Sequence, residues 1–293
     1  MHGRRFEREG LWAYAFIAPP VLGAFVFAFL PMAASLFLSF TRYDVLTPPD
    51  WIGLDNYRRL FADDFFVGRT ALNTVFYLIG VPLGIAAAFA VALLLHRVTA
   101  LRGLFRTVYF IPSVCSIVAI ALVWKWIYRA DWGLLNMTLA SLGVRDPPAW
   151  LNEPILVKPS LVFMGVWTNL GFNVVVYLAA LQTVPRFLLE AAELDGASAW
   201  RRFWHVTFPA VSPTTFFLAV TSTIGTLQNF DQVYVMTRGG PTYSSATFML
   251  YIYVTGFQYF QMGYASAMAW LLALAVLVVT RAQFVLAARW VHE

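Results

Sequence analysis

Long stretches without a single Asp, Glu, Lys, Arg or His divide this chain. They lie between Glu9 and Arg42, Arg69 and His96, Arg106 and Lys125, Lys158 and Arg186, His205 and Asp231, and across 239–280. A helix needs about 20 mostly apolar residues to cross a bilayer. The pattern therefore predicts spans over 12–40, 70–95, 107–128, 159–182, 210–234 and 264–286. The last run is too long for one helix. Gly239-Gly240-Pro241 opens it as a turn. Phe248 to Phe260 is short, apolar and rich in Tyr and Phe, which suits an interfacial segment better than a span. The predicted fold class is an all-α integral membrane protein of six transmembrane helices, one membrane domain over 1–293.

Six spans place both termini on one side. With the N-terminus inside, the inner segments hold slightly more Lys and Arg than the outer ones, including Arg4, Arg5, Arg8, Arg97, Arg102, Arg106, Arg186, Arg201 and Arg202. That bias favours cytoplasmic termini. The first apolar run is too long for a signal-peptide core, so it is expected to stay as a span despite Ala33-Ala34-Ser35. After it, Gly53-Leu54-Asp55-Asn56-Tyr57 reads as the start of a short amphipathic helix capped by Asp55 or Asn56.

Composition agrees. The chain is 60% hydrophobic and 12% charged, about half the charge of a soluble domain, with a mean hydropathy of +0.68. The net charge of +5 is scattered along loops, which is not the clustered footprint of a nucleic-acid binder. The lone Cys115 cannot form an intrachain disulfide.

Several chemistries are excluded. The only lysines, Lys125 and Lys158, do not follow glycine, so there is no phosphate-binding loop for ATP. His2, His96, His205 and His292 are dispersed, without metal-ligand spacing. No nucleophile or acid pair stands out. These features point to a transport component without a cofactor of its own.

The stretch 183–209 is the most informative. Pro185 suits a helix start and Glu190 to Leu194 are mostly helix formers. Asp195-Gly196 ends that helix through a glycine able to take positive φ. Ser198 then caps a second short helix carrying Phe203 and Val206. Leu188, Leu189 and Trp200 are unusual on a solvated loop, while Ala191, Ala192 and Ala197 leave a low profile. On these residues alone, a docking surface for a partner and a helical turn lying on the membrane both fit.

This segment resembles the EAA loop of binding-protein-dependent ABC permeases. Glu190, Ala191, Ala192, Asp195, Gly196, Ala197, Phe203 and Pro209 match that pattern in register, with Val206 and Phe208 as mild departures. Phe230-Asp231-Gln232-Val233-Tyr234, Thr237-Arg238-Gly239-Gly240-Pro241 and Gly263-Tyr264-Ala265-Ser266-Ala267 resemble later segments of the same family, and Gly53 to Tyr57 resembles its first outer loop. The resemblance covers nearly the whole chain and favours the first permease subunit of the maltose and glycerol-3-phosphate importer branch. It implies a type I ABC importer permease fold in the bacterial inner membrane. It implies that loop 183–209 couples to a separate ATPase, which binds ATP and Mg. The implied partners are a second homologous permease, two ATPase subunits, an extracytoplasmic solute-binding protein, membrane lipid and a sugar, with no nucleic acid.

Two faces suggest where a solute binds. Ser222, Thr226 and Asn229 recur at i, i+4 and i+7 with Gly225 beside them. Asn169, Asn173 and Tyr177 repeat every four residues, with Trp167 close by. Amides in a membrane face protein or water, so these stripes read either as a wet cavity or as interhelical hydrogen bonding. Ser113 and Ser116 are expected to bond their own preceding turn, and Lys125 and Arg129 to reach the outer interface. Other polar solutes, such as a polyol or a glycerophosphodiester, remain alternatives to a sugar. An ion-coupled transporter usually shows buried acids or histidines that these spans lack.

Overall fold

The computed structural model describes residues 3–62, 65–97, 102–288 and 290–291, with side chains described outside 1–13 and 97–106. The side chains of Arg4, Arg5, Arg8, Arg97, Arg102 and Arg106, counted in the charge bias, lie outside the described residues, as do His2 and His292.

In chain order, α1 (Gly3–Ala24) passes through a π-helical turn (Phe25–Phe29) into α2 (Leu30–Ser39). Strands β1 (Thr41–Arg42) and β2 (Asp50–Trp51) precede α3 (Asp55–Ala62). Then come α4 (Phe65–Tyr77), α5 (Gly80–Arg97), α6 (Arg102–Val114), α7 (Ile117–Ile127), α8 (Leu134–Ser141) and α9 (Val157–Thr183). Helices α10 (Arg186–Leu194) and α11 (Ala199–Arg202) lead through a second π-helical turn (Phe203–Thr207) into α12 (Phe208–Leu227). Helices α13 (Asp231–Met236) and α14 (Phe248–Tyr253), a third π-helical turn (Val254–Gln258) and α15 (Met262–Ala287) complete the order.

Among the described residues, five helices are long and apolar enough to cross a membrane: Tyr14–Ser39, Phe65–His96, Val157–Thr183, Ala199–Leu227 and Met262–Ala287. The pair Thr107–Val114 and Ile117–Ile127, bent by 109°, makes a sixth when the two are counted as one broken span. The sequence reads 107–128 as one span, but Ser116 takes an extended ψ of 128° just after Pro112, Cys115 and the end of α6. Proline inside α6 removes a helix hydrogen bond and prepares the break. The fifth helix also differs from the predicted 210–234. It starts at Ala199, runs continuously through the π-helical turn, and ends at Leu227, leaving α13 as a separate short helix.

Two compact units emerge, Met1–Asp64 with Ile252–Leu271, and Phe65–Tyr251 with Leu272–Glu293. In the first, Asn56 does not cap α3. Its buried amide donates to the carbonyls of Ser39 and Thr41, both at 2.9 Å, and so ties α3 back to the end of α2. The Tyr57 hydroxyl donates to Ser39 Oγ at 2.8 Å, and Trp51 stacks on Phe40 at 5.6 Å. Gly263 packs so closely on the Thr41 carbonyl that any side chain there collides with it. Arg59 lies 4.1 Å over the Tyr264 ring. In the exposed turn, hydrogen bonds from the Thr47 hydroxyl, then from backbone N–H groups, hold the Asp44 carboxyl below its ordinary pKa.

In the second unit the core forms where α5, α9 and α12 meet. Ala88 and Ala92 let α5 approach Val174, Tyr177 and Leu181 of α9, with Val211 and Leu218 of α12 alongside. Phe89 stacks on Tyr177 at 4.8 Å, whose hydroxyl donates to Thr215 Oγ1 at 3.0 Å. Small residues at such crossings let helices approach closely in a membrane. Gly171 shows this at α6, because a Cβ there would overlap the Tyr109 carbonyl. Ser113 does not bond its own preceding turn. Its hydroxyl donates to the Thr168 carbonyl at 3.1 Å and accepts from the Phe172 N–H at 3.0 Å, linking α6 to α9.

Candidate functional site

The second unit holds a half-open cavity of about 400 Å³ between α5, α9, α12 and α13. Asn169, Asn173, Ser222, Gly225, Thr226 and Asn229 all line it. The helical period puts residues four apart on one side, so the two polar stripes meet across a shared space. Trp167 does not line it. It stands two positions from Asn169, a turn of about 200° around α9, and its ring instead packs edge-on against Trp124 at 5.3 Å.

Glycines make the room. Gly80 and Gly84 of α5 face Val162 and Val166 of α9, with 3.3 Å left for a Cβ at Gly80. Gly165 leaves the Gln232 amide within 3.5 Å of where its Cβ would sit. Gln232, which sequence periodicity does not single out, organises one wall. Its Nε2 donates to the Leu161 carbonyl at 2.6 Å, and its Oε1 accepts from Asn229 Nδ2 at 3.1 Å. Thr247 Oγ1 then donates to the Asn229 carbonyl at 2.8 Å. Asn229 is therefore held in place from two directions.

Other lining groups are uncommitted. Asn173 is only 4% exposed, yet among the described residues its amide has no hydrogen-bond partner, and neither do the side chains of Ser222 and Thr226. Asn169 donates to the carbonyl of Gly165 in its own helix at 2.9 Å and keeps its oxygen free. Tyr77, Phe172 and Phe230 add aromatic surface, and among the described residues Asp231 is the one carboxylate in the lining, which holds no Lys, Arg or His. An amide offers two donors and an acceptor, and a hydroxyl offers both. Such a cavity suits a neutral, hydroxyl-rich solute.

A separate set of polar residues closes the segment after α13. Asn73 Nδ2 donates to the carbonyls of Tyr243 and Ala246 at 2.9 and 3.0 Å. The Tyr77 hydroxyl donates to the Ser245 carbonyl at 2.9 Å, and Lys158 Nζ to Asn73 Oδ1 at 3.1 Å. Ser245 and Thr247 are fully buried and Phe248 is 5% exposed. The start of the aromatic stretch Phe248 to Phe260 is therefore anchored inside protein rather than lying at an interface.

At the far end of α9 from Tyr128 and Ser160, loop 183–209 forms a helical hairpin. Helix α10 starts at Arg186, with Pro185 one position outside it. Gly196 has φ +75°. Its N–H donates to the Glu193 carbonyl at 3.0 Å and the Ala197 N–H to the Ala192 carbonyl at 2.9 Å. This paired ending satisfies carbonyls that a helix end otherwise leaves bare. Ser198 Oγ caps α11 by accepting from the Arg201 N–H at 3.4 Å. Arg202 joins the two helices through Glu193 at 2.6 Å. Glu190, Ala191, Asp195 and Gly196 are exposed, and Ala192 and Ala197 are partly so. Phe187, Leu194 and Trp200 are 66%, 90% and 69% exposed. Phe203 turns the other way, 5.6 Å from Phe89 and 6.3 Å from Phe208, so it seats the hairpin on the core. Pro209 sits at the start of α12.

Membrane-length helices, a polar cavity among them and an exposed apolar hairpin between two of them define a membrane transport subunit. The family described as binding-protein-dependent transport system inner membrane component matches residues 80–292. This chain belongs to that family and is a permease subunit of an ABC importer. It is similar to the probable ABC transporter permease YesP of Bacillus subtilis, 36% identical over 99% of this chain and 94% of that one. It is also similar to the lactose transport system permease LacF of Rhizobium radiobacter, 36% identical over 92% of each chain. Among solved structures, a chain of a bacterial ABC transporter involved in import of the acidic polysaccharide alginate superposes with a TM-score of 0.85 at 25% identity, covering 98% of both chains. The architecture is that of a type I ABC importer permease.

Proposed function

We propose that this chain moves a carbohydrate across the bacterial cytoplasmic membrane, with the whole of 1–293 acting as one permease domain. The observation that carries this reading is the cavity, where unengaged amides and hydroxyls at Asn173, Ser222 and Thr226 adjoin the aromatic surfaces of Phe172 and Phe230. Sugar hydroxyls take up such donors and acceptors, and ring faces pack on aromatic planes. The similarity to LacF and to the alginate importer supports the same substrate class.

The exposed face of the hairpin, Glu190, Ala191, Ala192, Asp195, Gly196 and Ala197, contacts a separate ATPase subunit, which supplies ATP and Mg binding. Phe203 and Pro209 position that face. The working complex contains a second homologous permease, two ATPase subunits and an extracytoplasmic solute-binding protein. Both termini are cytoplasmic, on the side of the hairpin.

The test is uptake by proteoliposomes holding the complete complex, with its binding protein supplied on the outer side. ATP-dependent accumulation of a labelled oligosaccharide is the expected result. Transport of a polyol or a glycerophosphodiester with no carbohydrate moved from a broad panel overturns the reading.

A further inference from the structure

Helix α7 carries a feature that solute translocation does not use. Ala121, Trp124 and Tyr128 turn inward, and Tyr128 donates to the Ser160 carbonyl at 3.0 Å, which fixes the end of α7 beside the start of α9. The opposite face is an apolar ridge. Val118, Leu122 and Trp126 follow one another at i, i+4 spacing and are 44%, 57% and 44% exposed. The ridge ends in two cations, Lys125 and Arg129.

There the chain forms a second cavity of about 480 Å³, lined by Leu122, Lys125, Trp126, Arg129, Asp131 and Asn152 among others. Lys125 Nζ donates to the Val235 carbonyl at 3.3 Å and has no carboxylate partner among the described residues. Arg129 lies 4.3 Å over the Trp132 ring and 3.9 Å from Asp131, both sides of that ion pair being more than half exposed. So the cavity keeps an excess of positive charge, since an exposed pair at that distance neutralises little.

Its position matters. Helix α9 runs 27 residues from this end to the hairpin, on the order of 40 Å at 1.5 Å per residue. That is the thickness of a bilayer with its headgroup layers. Trp124 of α7 packs on Trp167 and Tyr128 bonds to Ser160, so α7 runs back along α9 toward this end. Val118 and Leu122 are therefore the deeper part of the ridge, and Lys125, Trp126 and Arg129 lie nearer the headgroups, where tryptophan favours the interface.

We propose that this cavity binds an anionic phospholipid, its phosphate between Lys125 and Arg129 and an acyl chain along Leu122 and Val118. A free phosphate would use the cations and ignore the ridge. An acidic protein segment would have no reason to follow it into the hydrocarbon zone.

The experiment is native mass spectrometry of the assembled transporter after exchange into equal mixtures of phosphatidylglycerol and phosphatidylcholine. Phosphatidylglycerol retention about tenfold above phosphatidylcholine is expected, falling to the phosphatidylcholine level in Lys125→Ala/Arg129→Ala, because each basic residue near a surface contributes measurably to anionic-lipid binding. The charge-conserving Lys125→Arg/Arg129→Lys chain keeps the preference. Equal retention of the two lipids overturns the proposal, as does retention unchanged by the alanine pair. Loss in the charge-conserving chain as well shows that charge is not the cause and also overturns it. Displacement of the lipid by glycerol phosphate at equal concentration shows that the ridge contributes nothing and points to a free phosphate site instead.

Discussion

Gln232 donates a 2.6 Å hydrogen bond to the Leu161 carbonyl while accepting from Asn229 at 3.1 Å. One side chain thus ties the short helix α13 to α9 and orients a cavity amide. Gln232→Glu keeps the size but removes the donor, and it brings a carboxylate against a carbonyl in a buried place. A buried polar group left unmatched costs about 1–3 kcal/mol. Solute uptake is expected to fall at least severalfold while complex assembly persists. Wild-type uptake by Gln232→Glu would remove Gln232 from the wall of the translocation cavity.

Asn173 tests the cavity from the opposite wall. Asn173 is 4% exposed, and its amide, which lines the cavity, has no hydrogen-bond partner among the described residues, so Asn173→Ala removes no hydrogen bond inside the protein. Thermal stability is expected to change little, whereas Asn173→Ala together with Ser222→Ala weakens uptake about thirtyfold, in line with roughly 1 kcal/mol for each lost solute hydrogen bond. Apparent affinity measured at varied solute concentration separates the readings. A stability loss with unaltered affinity identifies both residues as packing.

Gly171 predicts a purely structural effect. A Cβ there meets the Tyr109 backbone rather than a movable side chain, so α6 and α9 must part. Overpacking of this kind costs about 1–3 kcal/mol or more. Gly171→Val should lower the melting temperature of the purified complex clearly, and Gly23→Val, where nothing lies within 4 Å, should not. Equal melting of both variants would refute the close crossing.

Much of this was legible along the chain because period alone carries it. Asn169 with Asn173, and Ser222 with Thr226, needed only the 3.6-residue repeat to land on cavity-facing sides. The hairpin was legible for a local reason too, since Gly196 and Ser198 act within five residues of the groups they serve. What escaped depends on partners distant in sequence. Asn56 has the look of a cap, but its carbonyl partners are 17 and 15 residues back. Ser113 has the look of a back-bonding serine, but its partners lie in α9. Asn73 and Gln232 give no periodic sign of the backbone they hold 170 and 71 residues away. Trp167 was placed by nearness in sequence, where helical angle decides.

Topology follows from the same pieces. The proposed placement of both termini on the hairpin side requires a reporter fused at the C-terminus and one inserted between Thr47 and Asp50 to sit on opposite sides of the membrane. The insertion point is an exposed turn beyond the Asp44 carboxylate, where added chain disturbs little packing. Reporters active on the same side would require an odd number of crossings fewer or more.

Gly196 offers the sharpest test of coupling. Its φ of +75° lies in the left-handed region, and a Cβ there meets nothing within 4 Å. A substitution is therefore opposed by backbone strain and not by crowding inside this chain. That separates two effects that usually arrive together. Asparagine tolerates the left-handed region, alanine is penalised by roughly 1 kcal/mol, and a β-branched residue suffers most. The hairpin ending depends on this residue, because its N–H and that of Ala197 close the last turn of α10. Strain at Gly196 shifts α10 against α11, which the Arg202–Glu193 pair joins. Gly196→Val should leave membrane insertion intact, since Gly196 and α10 lie between the membrane-length helices, yet reduce uptake about tenfold and weaken ATPase co-purification. Gly196→Asn should retain most of both. The ordering Asn, Ala, Val is what backbone strain demands. If all three were equally damaging, the glycine would be needed for a partner's close approach instead. If Gly196→Val imported solute normally at normal expression, the hairpin would not be the element that couples transport to ATP hydrolysis.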